Sequence, residues 1–281
     1  MTNDPLLWMV QLRAKNRGIG VQVVSANELT VTGTDWTVYL DNLRRQAEHR
    51  PRDQWREMID EFLDNLLVDD AGPSSADSLE EVRDSLRVRL YPADQELPDD
   101  LLPVRRPIGP GLEERLVLDL PTQVMTPSAD TITHWRLSHD ELLDLGRNNL
   151  RNGPPLEVQT DVVDDARIAT LSGDGDYASG HLSWLDQYPV VGPYGALVSV
   201  PEEGVLFAHP ITDHTVYPAG GVLADATVRI HDKAGKPIGR HLYHWRDGRI
   251  DLAAGLDTSD GELSIIVTEE FQALMEHLAG G

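Results

Sequence analysis

Asp176, Ser179 and His181 are the residue types of a hydrolytic triad, in which a histidine activates a serine hydroxyl for attack on a carbonyl carbon. Their spacing argues against that chemistry. If residues 177–186 form a helix, Ser179 and His181 are two positions apart and point to different faces. The Gly-x-Ser-x-Gly turn of α/β-hydrolases does not surround Ser179. The pattern favours Asp176 as a helix N-cap and Ser179 as a close-packing residue, and it leaves nucleophilic catalysis as the alternative.

His209, Asp213 and His214 offer two imidazoles and a carboxylate, which are ligand types that zinc accepts. They fall in a predicted loop, but their spacing matches no zinc motif. His241 and His244 form a His-x-x-His pair. On a strand these two side chains face opposite sides and cannot hold one ion together. The sequence therefore favours surface histidines, and it predicts neither a bound metal nor another cofactor.

Three further residues are candidates for contact with a ligand or a partner. Asn149 shares a face of a predicted helix with Leu142 and Leu145, and a buried amide must form hydrogen bonds. It could hold a ligand, although the pattern favours a bond to the helix end or a neighbouring strand. Trp135 could line a groove, with core packing as the default for a tryptophan. Pro201, at a strand end, joins Asn149 in a possible small-ligand site.

The elements that must position these residues are readable from local patterns. Ser138 and Glu141 form a capping box that predicts a helix start, and Thr268 is the predicted N-cap of a closing helix. Strands are predicted at 156–162, 167–171, 196–200, 204–208, 226–231, 240–246 and 262–267. Helices and strands are mixed with short links, which predicts an α+β fold with mixed, mainly antiparallel sheets and helices packed on one face.

The N-terminal part predicts its own small core. Asp4-Pro5 marks the start of an amphipathic helix. A second helix carries an apolar stripe with helical spacing, formed by Trp55, Ile59, Phe62 and Leu66. We expect an N-terminal α+β subdomain over residues 1–68, an acidic and proline-rich connector over 69–112, and a C-terminal α+β domain over 113–281.

Charge and composition limit the possible functions. The chain has 281 residues, a net charge of −23 and no cysteine, so disulfides, thiolate nucleophiles and cysteine-ligated metals are excluded. Residues 156–281 carry 20 acids and 7 bases, a net charge of −13. Such a surface repels nucleic acid and attracts a basic protein, or simply keeps the chain soluble. The N-terminus lacks signal-peptide features and no apolar run is long enough to span a bilayer, so a cytoplasmic protein is expected.

Several short motifs occur along the chain in a familiar order. They are Asp41-Asn42-Leu43, Gly146-Arg147-Asn148-Asn149-Leu150, Gly173-Asp174-Gly175-Asp176-Tyr177-Ala178-Ser179, Leu197-Val198-Ser199-Val200-Pro201 with Gly204-Val205-Leu206, and Trp245-Arg246-Asp247-Gly248. In this order they resemble the YtpQ-like family, a bacterial cytosolic family of unknown function, over residues 19–67 and 115–250. Residues 218–239 depart from the family pattern. The resemblance implies a fold and a compartment, and it implies no activity.

Three functional hypotheses follow from the sequence. The favoured one is a non-enzymatic interaction or regulatory protein with an acidic surface and a concave or edge-strand docking site for a basic partner. The second is a hydrolase or metal-dependent enzyme, which needs Asp176, Ser179 and the histidines His209 and His214 to meet in space. The third is a small-ligand binding module that uses Asn149 and the strand end at Pro201.

Overall fold

The computed structural model of the protein describes residues 4–25, 28–32, 37–48, 50–68, 78–95, 104–120, 124–173, 175–259 and 261–280. Throughout these ranges the paired strands run antiparallel and form three sheets, and α-helices pack beside them. The predicted α+β fold class is confirmed. Residues 69–77 and 96–103 of the predicted connector lie outside the described residues.

The elements follow in chain order. The α-helices are α1 (Pro5–Asn16), α2 (Asp41–Glu48), α3 (Trp55–Val68), α4 (Leu79–Val82), α5 (Ala129–Trp135), α6 (His139–Arg151), α7 (Val216–His231) and α8 (Glu269–Ala279). The first strands are β1 (Val21–Ser25), β2 (Glu28–Val31), β3 (Thr37–Tyr39), β4 (Leu86–Pro92), β5 (Arg105–Gly109), β6 (Leu112–Asp119) and β7 (Val124–Met125). The later strands are β8 (Glu157–Val163), β9 (Ala166–Ser172), β10 (Ala196–Glu202), β11 (Val205–Pro210), β12 (Leu242–Arg246), β13 (Arg249–Asp257) and β14 (Ser264–Val267). Segments of 3-10 helix occur at Arg52–Gln54, Arg83–Ser85 and Gly175–Gln187.

The N-terminal residues build a sheet of order β1-β2-β3 with α1, α2 and α3 around one core. Asp4 caps α1 as predicted, because its Oδ1 accepts hydrogen bonds from the backbone N–H groups of Leu6 and Leu7. In the predicted stripe of α3, Ile59 and Phe62 are buried in this core. The side chain of Leu66 lies outside the described residues.

A second sheet has the order β4-β6-β5, and β7 pairs with β6. Its strands β4 and β5 come from residues of the predicted connector. Helix α6 begins at the predicted Ser138–Glu141 capping box and packs closely on this sheet. At Gly146 an added Cβ would lie 2.9 Å from the carbonyl carbon of Arg87, so a glycine is needed where helix and strand approach.

The third sheet has the order β14-β13-β12-β10-β11-β9-β8. Successive side chains of a strand point to opposite faces, and both faces of this sheet are covered. Leu197 and Leu242 face a core shared with α7 and α8. Val198 and Tyr243 face the other core, which includes the 175–187 segment and residues of the second sheet.

The predicted strand at 226–231 is wrong, because these residues form the second half of α7. Thr227, Val228 and Ile230 suggested a strand by residue type, but Ala219, Leu223 and Thr227 are spaced four apart and are buried together. Burial of that stripe decides in favour of the helix. Strand β13 was not predicted.

Candidate functional site

The three residues of the possible triad contact different groups. Asp176 Oδ2 lies 3.1 Å from an Arg89 guanidinium nitrogen and 3.1 Å from Lys236 Nζ. The N-cap prediction for Asp176 is wrong, because the 3-10 segment begins at Gly175 and the carboxylate pairs with these cations instead. No relay from carboxylate through imidazole to hydroxyl is formed among the described atoms of the three residues.

The serine and the histidine of this group are both buried. Ser179 is fully buried, and its Oγ has no hydrogen-bond partner within the described ranges. His181 Nδ1 lies 2.6 Å from the hydroxyl of Tyr188. The His181 ring also packs 5.0 Å, centroid to centroid, from the ring of Trp184. These contacts place the imidazole in a packing role between two aromatic side chains.

The two histidines considered as metal ligands differ in exposure: His209 is buried and His214 is exposed. His209 was expected in a loop at the surface, but it lies on β11 and is 1% exposed. Its Nδ1 donates to the carbonyl oxygen of Arg167 at 2.9 Å, and burial lowers the pKa of the imidazole. Asp213 accepts hydrogen bonds from the N–H and hydroxyl of Thr215, while His214 is exposed. Over the part of the chain that the structure describes, no three His, Asp or Glu side chains form a group able to hold a metal ion.

The three residues considered for ligand contact lie in different parts of the fold and contact other protein groups. Asn149 Nδ2 donates to the carbonyl oxygens of Arg83 (2.7 Å) and Leu86 (3.0 Å), which ties α6 to the start of β4. Trp135 is 5% exposed and belongs to the core beneath α6. The carbonyl oxygen of Pro201 accepts from the N–H of Ile238 at 3.1 Å. Asn149 and Pro201 are accounted for by hydrogen bonds to the backbone of other segments, and Trp135 by packing.

A group of charges around a buried Arg89–Glu203 pair is not predicted from the sequence. We call Arg89, Asp176, Glu203 and Lys236 the Arg89 cluster. Arg89 forms a hydrogen-bonded ion pair with Glu203, and Lys236 Nζ lies 3.4 Å from the same carboxylate. The Arg89 guanidinium also lies 5.5 Å from the ring centroid of Tyr177.

Two cations and two carboxylates meet in this cluster, so its formal charge is zero. Burial by itself lowers the pKa of Arg89. The neighbouring carboxylates of Glu203 and Asp176 raise it, and the net result is a pKa above the ordinary value of an arginine. Arg89 therefore stays charged. The four side chains come from β4, the 175–187 segment, the β10–β11 turn and the loop after α7. The arrangement ties these segments together, because its charges neutralise one another.

A cavity of about 230 Å³ lies between α7, α8 and one end of the seven-stranded sheet. We call it the α7–α8 cavity. Its lining includes Gly220 and Gly221 of α7, Ile265 and Val267 of β14, and Phe271 and Met275 of α8. Tyr217 also lines it, and both Tyr217 (43% exposed) and Ile265 (40% exposed) reach the surface. The cavity is therefore an apolar recess that opens beside β14.

Strand β14 forms the outer edge of the sheet next to this recess. Ile266 is 63% exposed and the adjoining Leu263 is 37% exposed, and β14 itself contains no charged residue. Exposed acids adjoin both ends of this apolar edge, with Asp257 paired to Ser264 and with Glu269 and Glu270 after Val267. Residues 250–281 contain seven Asp or Glu and neither Lys nor Arg. The strand and the acidic excess are predictable from the sequence, but the cavity also needs α7, which is distant in the chain from β14 and α8.

Comparison of the chain with protein-family models, with curated proteins and with solved structures found no match. The resemblance to the YtpQ-like family stays a prediction from ordered short motifs. Among the helices in the described ranges, none is both long enough and apolar enough to cross a membrane.

Proposed function

We propose that this protein is a non-enzymatic interaction or regulatory protein of the cytoplasm that binds a basic protein partner through its acidic C-terminal surface. The observation that carries the proposal is the β14 edge: exposed apolar side chains lie within residues 250–281, which hold seven acids and no Lys or Arg. Apolar contact area with a charged rim is typical of protein interfaces.

Electrostatics favour a basic partner over a neutral or acidic one. The chain carries a net charge of −23, and the Arg89 cluster shows that acids in the interior are paired with cations. Acids also lie at the surface, where Asp257, Glu269 and Glu270 are exposed. Complementary surface charge raises the association rate and disfavours partners of like charge.

The contacts of the candidate catalytic residues support a role without chemistry. Asp176 is paired with Arg89 and Lys236, and His181 contacts Tyr188. General acid–base catalysis needs such groups within reach of one another and of a substrate. Here Asp176 forms ion pairs and His181 packs against aromatic rings. The acidic composition of the surface is the feature that these contacts do not explain.

The proposal is tested by affinity capture from native lysate with the full chain as bait and quantitative mass spectrometry. The test variant is Glu269→Gln with Glu270→Gln, and the matched control is Glu157→Gln with Asp161→Asn at the opposite edge of the same sheet. We expect the wild type and the control to enrich proteins with pI above about 9, and the test variant to lose most of that enrichment. We expect roughly 0.5 M salt to release the captured proteins, because salt screens exposed ion pairs.

Two outcomes contradict the proposal. In one, the wild-type bait shows no excess of basic proteins, or both variants retain the same set. In the other, elemental analysis of the purified protein finds stoichiometric zinc, which favours the metal-dependent enzyme.

A further inference from the structure

Strand β14 has the backbone geometry of a site for strand addition. It pairs with β13 from Ala254–Val267 to Asp257–Ser264, and it ends the order of the seven-stranded sheet. Within the ranges that the structure describes, no strand pairs with its other side. An edge of this kind presents unpaired N–H and C=O groups to solvent, and an extended peptide can pair with them.

The side chains of β14 divide between two environments. Ile265 and Val267 line the α7–α8 cavity, while Ile266 points to the other face and is 63% exposed. A strand added beside β14 would place every second side chain on the cavity face. The recess extends over Leu242 and Ala254 of β12 and β13 and reaches the surface at Ile265 of β14, so a side chain of the added strand would enter it across Ile265.

The size of the cavity fits a side chain better than a separate metabolite. Its volume of about 230 Å³ is below the roughly 300–1,000 Å³ of most small-molecule sites. An apolar cavity of about 150 Å³ holds benzene, so this one has room for one large apolar side chain. Gly221 lines the recess at an exposed position, where a Cβ would meet nothing within 4 Å.

The charges around β14 distinguish between possible occupants. Asp257 pairs with Ser264 at one end of the strand, and Glu269 and Glu270 follow its other end. A second copy of the chain would bring another segment with seven acids and no Lys or Arg against this one, and like charges would oppose pairing. A segment with Lys or Arg on both sides of an apolar stretch would meet Glu269 and Glu270 at one end and Asp257 at the other. Arg240 donates to the Thr258 hydroxyl at the Asp257 end, so the Glu269–Glu270 end presents the stronger negative charge.

The opposite edge of the same sheet also has exposed apolar and acidic residues, but no residue of β8 lines the α7–α8 cavity. Strand β8 carries the exposed acids Glu157 and Asp161 within the strand, and charged side chains on an edge oppose pairing with another chain. Its exposed Val162 lies near the strand end and is 72% exposed. Strand β8 therefore provides an internal control.

We propose that β14 is the docking site for an extended segment of a basic protein, which adds as an eighth strand and inserts one apolar side chain into the α7–α8 cavity. The segment has apolar residues at alternate positions and Lys or Arg on both sides of them. This inference rests on the proposed function and assigns it a place and a mode of binding.

The test uses the full chain and a synthetic peptide in which a valine–threonine–leucine–threonine–valine core is flanked by two lysines at each end. A second peptide carries glutamates in place of the lysines. Binding is measured by fluorescence anisotropy, and backbone protection by hydrogen exchange. We expect the lysine peptide to bind at least about tenfold more tightly than the glutamate peptide, and the amides of residues 264–267 to exchange more slowly when it is bound.

The matched variants are Ile265→Lys at β14 and Val162→Lys at β8, which change the charge equally at exposed positions of the two edges. Circular dichroism and urea titration verify that both fold. We expect Ile265→Lys to weaken binding about tenfold or more, since a lysine blocks the recess and repels the peptide, and Val162→Lys to change it less than about twofold.

Each other outcome overturns a defined part of the inference. If the lysine peptide binds but both variants bind equally, or protection appears elsewhere, β14 is not the site and the proposed function stands. If neither peptide binds, the inference fails, and lysate capture separately decides the proposed function. If the wild type sediments as a dimer and Ile265→Lys as a monomer, the occupant is a second copy.

Discussion

Arg89 and Glu203 are 114 positions apart in the chain and form a buried, hydrogen-bonded ion pair. Arg89 belongs to β4 of the four-stranded sheet, and Glu203 lies in the β10–β11 turn of the seven-stranded sheet. The pair joins the two sheets directly. Asp176 and Lys236 complete the charges around it.

We expect Glu203→Ala to lower the free energy of unfolding by about 3 kcal/mol or more, because the substitution leaves a buried Arg89 with incomplete compensation. Urea denaturation measures the change. Asp225→Ala is the control, since its pair with Arg229 is exposed on α7 and should contribute less than about 0.5 kcal/mol. Equal effects of the two substitutions would mean that the buried pair does not stabilise the contact between the sheets.

The stability of the protein should fall in mild acid because of His209. In the unfolded chain its pKa is near 6.5, and burial lowers it in the folded protein in spite of the attraction of Asp213. Below about pH 6.5 the unfolded state therefore binds a proton that the folded state resists. His209 then contributes a loss of at most about 1.4 kcal/mol per pH unit as the pH decreases.

The comparison between pH 7.5 and 5.5 uses urea titrations of the wild type, His209→Asn and His214→Asn. The slope of stability against pH should be shallower in His209→Asn. It should be unchanged in His214→Asn, because His214 is exposed. A wild-type slope in His209→Asn would show that this imidazole binds its proton equally well in the folded and unfolded states.

Substitution by alanine should change the stability of the protein in opposite directions at two helical glycines. A Cβ at Gly221 of α7 meets nothing within 4 Å, so Gly221→Ala should stabilise the protein by about 0.5–1 kcal/mol through reduced backbone freedom in the unfolded chain. A Cβ at Gly146 of α6 would lie 2.9 Å from a backbone atom of Arg87, so Gly146→Ala should destabilise it by about 1–3 kcal/mol. Thermal denaturation distinguishes them, and the same sign for both would contradict the packing of α6 on β4.

Asn149 should behave as a structural residue. Asn149→Ala removes two hydrogen bonds to backbone carbonyls and should cost about 1–3 kcal/mol of stability. The adjacent Asn148→Ala is the control, because that side chain is exposed. Unchanged stability in Asn149→Ala, together with lost partner capture, would instead support a binding role.

Local sequence patterns predict those features of the fold that depend on interactions between residues close together in the chain. Asp4, Ser138 and Thr268 identify helix starts, because a capping side chain bonds to N–H groups two or three residues away. The predicted strands at 156–162, 167–171, 196–200, 204–208 and 240–246 overlap β8 to β12. Burial along them does not simply alternate, since β10 is buried over six successive residues and β8 is mostly exposed. The acidic excess and the lack of cysteine are also properties of the sequence alone.

Tertiary structure decided the rest, because the relevant contacts join remote parts of the chain. Residues 226–231 have strand-like composition, but burial of one face of α7 against the sheet makes them helical. Nothing near Arg89 in the sequence indicates that Glu203 would neutralise it. The α7–α8 cavity exists only where α7 meets the consecutive elements β14 and α8, and no local pattern encodes a space between parts of the chain that are distant in sequence.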